Sequence, residues 1–288
     1  MFYSKQDLIE KIVKIIKKLD LTDNVAKAAS LDTYKEVFSN SGGFSLNDFQ
    51  SSMVSVAIAI IALFFLMQLV DLAMSEQANL ETFLKAFVKL IGPMLLVYYA
   101  ADICNLGFGI SNWIGGKISS TTSSGIAALL EKDSFGNYKH IDLTGYNNNA
   151  NMISQVITLA VPDLLLGVVA AILNAAITFI CFSRVIELGV RAVFMPIGIA
   201  LMSEDGFKGA GGRYIKRFIA LCAQGPVIIL ITSIYSLIVQ SALVNEAGKI
   251  VVDAGDMMGS MIPMLGCAAA AIGVTFKSIG IVNDIFGA

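Results

Sequence analysis

Four stretches of this chain carry no Asp, Glu, Lys or Arg over a length that matches a bilayer: Phe49 to Val70, Leu164 to Ser183, Phe218 to Asn245 and Met257 to Phe276. A helix rises about 1.5 Å per residue and the hydrocarbon core is about 30 Å thick, so about 20 such residues cross it. In lipid the backbone finds no water to pair with, which leaves helices or a closed barrel as spanning structures. Unbroken apolarity, without alternation, selects helices. A fifth stretch, Leu90 to Ala101, is too short alone and crosses only if extended back to Phe83, with Lys85 and Lys89 reaching out to the headgroups. The pattern predicts an all-α, polytopic helical membrane protein with about five transmembrane helices.

Ahead of these spans, Leu8, Ile9, Ile12, Val13, Ile16 and Leu19 recur at helical spacing, with Lys11, Lys14, Lys17 and Lys18 largely on the other side. This basic amphipathic helix reads as one lying on a membrane surface or docking a partner subunit, with Ile12 and Ile16 as the contact residues. The competing reading is a helix packed within its own fold. Residues 39 to 48 are turn chemistry. The expected organisation is therefore an N-terminal amphipathic helix and linker over 1–48, a transmembrane hairpin over 49–101, a polar exterior loop with an interfacial helix over 102–163 and a C-terminal transmembrane core with a cytoplasmic basic loop over 164–288.

The loop begins with small residues one helical turn apart, Gly107, Ser111 and Gly115, beside Trp113. Such a stripe permits close packing on a neighbouring helix, or else the segment is an interfacial helix anchored by its Trp. The third span runs on from Leu164 into Arg184, Glu187 and Arg191, spaced to share one face, with Glu187 and Arg191 in the favourable order for an ion pair. Intramembrane charges face cavities or partners; the alternative is that the helix has emerged into the cytosol. Emergence fits better, because Val193 to Met202 is then too short to cross back and holds Pro196 and Gly198, making it a re-entrant or interfacial helix. Residues 203–218 form a glycine-rich basic loop with neither P-loop nor dinucleotide spacing, which reads as a hinge or a lipid-facing basic patch. In the last two spans Gly255 with Gly259, and Ala269 with Gly273, offer further close-packing or oligomer contacts.

Composition fits a surface that largely faces lipid: 56% of residues are hydrophobic, 15% are charged and the mean hydropathy is +0.74, against about 25% charged in soluble domains. The net charge of −2 argues against a stable nucleic-acid site, which needs a Lys/Arg excess on an accessible face. Cys104, Cys181, Cys222 and Cys267 lack CxxC spacing and sit in or beside apolar runs, so they read as packing residues. His140 is the only histidine and lies in the polar loop; with no metal-spaced cluster and no catalytic constellation, neither an enzyme nor a metal or cofactor is expected. No cleavable signal peptide is expected, since the first apolar run begins near Met53. With the N-terminus outside, Lys85, Lys89, Arg184, Arg191, Lys208, Arg213, Lys216, Arg217 and Lys277 fall inside and Lys35, Lys117 and Lys249 outside, nine against three. A six-span arrangement with the N-terminus inside divides the same charges seven against five.

The layout, and within it RVIELGVRAVFMPIGIALMSEDGFKGAGGRYIKRFIALCAQGPVIILI, resembles the TrbL-type subunits of type IV secretion and conjugation machines. The likeness covers nearly the whole chain in topology and concentrates in residues 184–231, on Arg184, Glu187, Arg191, Pro196, the glycine-rich loop and Tyr214-Ile215-Lys216. The tail after Lys277 is short beside longer members. The resemblance implies a multi-pass subunit of the bacterial cytoplasmic membrane that assembles with other secretion subunits and with copies of itself. Such a subunit helps a DNA–protein substrate pass. The nine-against-three distribution of charge, not the resemblance, places the face of Arg184, Glu187, Arg191, Lys208, Arg213, Lys216 and Arg217 toward the cytoplasm. A small-molecule transporter subunit is the alternative, with Asn174, Glu187 and the Pro196 region as its polar groups. No inverted repeat relates the two halves of the chain. A scaffold without a conducting path is a third reading.

Overall fold

A computed structural model describes residues 5–19, 22–29, 46–74, 80–122, 130–132, 138, 141–142, 152–244, 250–251 and 254–287. The helices are α1 (Lys5–Leu19), α2 (Thr22–Ala29), α3 (Leu46–Met74), α4 (Leu80–Tyr98), α5 (Ala100–Thr122), α6 (Met152–Val193), α7 (Met195–Ala200), α8 (Met202–Asp205), α9 (Ala210–Leu243) and α10 (Ala254–Phe286). A 3-10 turn, Gly206–Lys208, joins α8 to α9. Two short strands, β1 (Ile141–Asp142) and β2 (Ile250–Val251), pair in parallel, Ile141 with Ile250 and Asp142 with Val251.

The chain is an all-α, multi-pass helical membrane protein. Asp48–Met74, Leu164–Val193, Ala210–Leu243 and Pro263–Phe286 are each long and apolar enough to cross a bilayer, and Ala86–Tyr98 with Ala100–Thr121 forms a pair bent by 60° that makes a fifth if counted as one span. On α3, Leu63, Leu66, Met67 and Val70 all stand more than half exposed, a continuous apolar surface suited to lipid. The region expected as a polar loop begins and ends as helix, because α5 runs to Thr122 and α6 starts at Met152. At 42 residues α6 is about 63 Å long, more than a bilayer needs. Arg184, Glu187 and Arg191 lie in the last turns of the Leu164–Val193 stretch, on the same continuous helix as the apolar run before them.

Two compact units cut across the contiguous segments. One comprises residues 1–29, 115–181 and 226–278; the other comprises 30–114, 182–225 and 279–288. In the first unit the apolar face of α1 turns into the unit's own core. Ile12 (1% exposed) and Ile16 (2%) are buried with Val25, Ala29, Leu166, Leu173 and Met264 in one apolar core. Lys11, Lys14 and Lys17 stay exposed, so the amphipathic pattern is satisfied within the chain's own fold. In the second unit α3, α4 and α7 pack together over a core that includes Ala57, Ile61, Val97, Leu188, Met195 and Ile199.

Candidate functional site

Helix α9 contains Pro226, which has no backbone N–H to give to the carbonyl four residues earlier. That carbonyl belongs to Cys222, and in an apolar interior it requires another donor. It has two. Ser111 of α5 donates its hydroxyl at 2.6 Å, and Arg184 of α6 donates from Nη2 at 3.1 Å. The same Nη2 donates to Ser111 Oγ at 3.1 Å, so the serine accepts and donates at once, while Arg184 Nε donates to Leu221 O at 3.0 Å. The parts of α5, α6 and α9 that belong to the second unit are thereby joined to one another.

Arg184 is 2% exposed and the largest of the fully buried side chains. Arginine keeps its charge under all ordinary conditions, and its planar fork reaches several acceptors together. Carbonyl dipoles and a hydroxyl supply part of the solvation that water would have given. Room for the guanidinium comes from Gly225, where a Cβ would fall onto the Arg184 head. Close approach of α5 comes from Gly107, whose Cβ would meet Phe218 and Cys222 Sγ at 3.2 Å.

A second proline repeats the logic. Pro196, at the start of α7, leaves the Ala192 carbonyl without its helical donor. Gln50 of α3, itself 4% exposed, donates Nε2 to Ala192 O at 3.1 Å. Nearby, Tyr214 donates its hydroxyl to Arg191 O at 2.7 Å, and Gln68 donates to Ser203 O at 3.1 Å. The Tyr214 ring lies directly on Gly198, which has no space for a side chain, and Gly211 sits against the Gly198 carbonyl and Met202. The glycine-rich segment is thus a close-packed corner; glycine serves here to let backbones touch.

The predicted site residues part company. Arg184 turns inward instead of joining a charged face, because the acceptors it meets are the carbonyls around the Pro226 gap. Glu187 and Arg191 form the expected pair, Nη2 to Oε1 at 2.7 Å and Nε to Oε1 at 3.1 Å, with side chains 45% and 25% exposed. Lys208, Arg213, Lys216 and Arg217 are exposed around the start of α9. Gly107 and Ser111 are occupied by α9 of the same chain, and a Cβ on Gly115 would meet Ile229 at 3.0 Å, so this stripe is not left free for another subunit. Gly255 and Gly259 fall on the first turns of α10, and their surroundings lie outside the described side chains. His140 lies outside the described residues. Cys104, Cys181 and Cys222 are buried and Cys267 half-buried, none of the four in a disulfide.

Gln50, Gly225 and Pro226 were not singled out by charge or motif, and Tyr214 entered only through the family resemblance. The available signal was proline itself, since each one inside a span asks for a side-chain donor to the carbonyl four residues earlier. Elsewhere in this unit, an open groove of about 510 Å³ runs along the outer face of α5, lined by Asp102, Asn105, Leu106, Gly109, Ile110 and Trp113. Among the described residues no three His, Cys, Asp or Glu side chains gather to hold a metal ion. No family model, curated protein or solved structure matches the chain.

Proposed function

We propose that the chain is a channel or scaffold subunit of a type IV secretion machine of the conjugative kind, in the cytoplasmic membrane of a bacterium. It associates there with other secretion subunits and with further copies of itself to help a DNA–protein substrate cross. The observation that carries the reading is the segment 184–231. Its resemblance to TrbL-type subunits rests on Arg184, Glu187, Arg191, Pro196, the glycine-rich corner and Tyr214-Ile215-Lys216, and of these Arg184, the glycine-rich corner and Tyr214 are engaged in contacts between helices. A motif devoted to holding helices together suits an assembly component better than a catalyst. The test is Glu187→Lys in a conjugating host. That ion pair is exposed and contributes about 0.3 to 0.5 kcal/mol, so the protein should reach normal membrane levels. Transfer should fail if the Glu187–Arg191 face docks a cytoplasmic partner; normal transfer in this variant and in a strain lacking the chain would sink the reading.

A second reading, a subunit of a small-molecule transporter, is favoured by the buried Arg184 beside the Pro226 break and by the bent α4/α5 pair, since intramembrane charges and broken helices mark transport sites. Deletion that spares conjugation but abolishes uptake of one solute would select it.

A further inference from the structure

Between α8 and the apolar part of α9 the chain presents a fixed, cationic and partly apolar corner. Gly206 has φ of +66°, and Gly209 N–H donates to its carbonyl at 3.3 Å, closing a tight turn. A Cβ on Gly212 would collide with the Phe207 carbonyl, so the turn lies flat on the first turn of α9 with no side chain between them. On this base Phe207 projects outward, 73% exposed. Lys208, Arg213, Lys216 and Arg217 are exposed around it, against the exposed acid Glu204. Arg213, Lys216 and Arg217 are three and four residues apart and share one helix face. The charge-free run begins immediately afterwards at Phe218, which sets the cations at the mouth of a span, at headgroup level.

We propose that this corner is a binding surface for anionic phospholipid: Arg213, Lys216 and Arg217 hold headgroup phosphates while Phe207 enters the acyl boundary. The charge sign and depth select phosphate-bearing headgroups. The exposed aromatic beside them selects a leaflet, because an apolar ring among cations is the chemistry of an interfacial anchor. The inference stands independently of the secretion reading and asks only that α9 cross the bilayer.

The full chain, purified in a neutral detergent, is titrated with dioleoyl phosphatidylglycerol and separately with dioleoyl phosphatidylcholine, and bound lipid is counted by native mass spectrometry. Each cation near an anionic surface strengthens binding about fivefold. The triple variant Arg213→Gln, Lys216→Gln, Arg217→Gln should therefore lose on the order of a hundredfold in phosphatidylglycerol affinity with phosphatidylcholine binding unchanged. Lys277→Gln, at an exposed cation on α10, should have no such effect. For the unaltered chain the anionic preference should fall as salt is raised, a readout that does not depend on the variant folding. Equal binding of the two lipids, an equal loss from Lys277→Gln, or displacement of the lipid by millimolar inorganic phosphate would each overturn the proposal. The first of these would leave an acidic protein surface as what the cations meet, and the last a free-anion site.

Discussion

In the unit built from 30–114, 182–225 and 279–288, Gln50, Gln68, Ser111, Arg184 and Tyr214 each give a hydrogen bond to the backbone of a different helix or segment. In the unit built from 1–29, 115–181 and 226–278, Thr232 bonds Ile228 O and Ile229 O, and Thr275 bonds Ala271 O, each on its own helix. A bond within a helix satisfies a hydroxyl and leaves the choice of neighbour open. A bond between helices fixes their register, since a shift of one residue breaks it. Around Ile12 the core is apolar and α1 covers it; between 30–114 and 182–225, polar side chains rivet helix to helix at the carbonyls of Ala192 and Cys222. In lipid, where helices gain little from hiding apolar surface from one another, such rivets supply specificity that packing alone lacks.

The widest break in this comparison comes from the apolar unit. Replacing Ile12 and Ile16 together by Asp removes two buried side chains, each contributing about 1.5 to 3 kcal/mol. The prediction is that α1 detaches while the spans still insert, read as new protease cleavage near residues 1–29 with undiminished membrane levels. Protection equal to that of the unaltered chain would mean α1 does not close this core.

Next in size is Arg184→Met. Loss of the fork withdraws a donor from Leu221 O, Ser111 Oγ and Cys222 O, of which Cys222 O keeps the Ser111 hydroxyl, at about 1 to 3 kcal/mol for a buried group left unsatisfied. Removing a buried charge offsets part of this, for a net destabilisation of about 2 kcal/mol, seen as a lower melting temperature in detergent. Pro226→Ala returns an N–H to α9, so in the Arg184→Met background it should recover more stability than it adds to the unaltered chain. Strict additivity of the two changes would show that the arginine does not serve the proline gap.

The smallest effects separate the two kinds of polar contact. Gln50→Leu should destabilise by about 1 to 3 kcal/mol because Ala192 O loses its donor. Thr275→Val removes a local back-bond and should stay within about 1 kcal/mol. Equal melting temperatures for the two variants would erase the distinction between the units.

The membrane class and the positions of the spans were legible because charge-free length is a local property. The Gly107, Ser111 and Gly115 stripe was also legible as a packing surface, yet its partner was not, since nothing near residue 111 points to Cys222 in a helix 111 positions on. Arg184 misled for the same reason. Its spacing from Glu187 and Arg191 is local and suggested one charged face, whereas its acceptors are set by Pro226 and Gly225, outside any window of sequence periodicity. The α1 pattern announced an apolar face that must be covered, and amphipathicity does not distinguish a membrane surface from the chain's own core.

That core has a history in time. Ile12 shares it with Leu166 and with Met264, so α1 belongs to a cluster whose last members are made about 250 residues after it. At about 5 to 20 residues per second, synthesis separates them by roughly 12 to 50 s. Throughout that delay α1 has an apolar stripe and no seat for it, while its lysines favour an anionic leaflet.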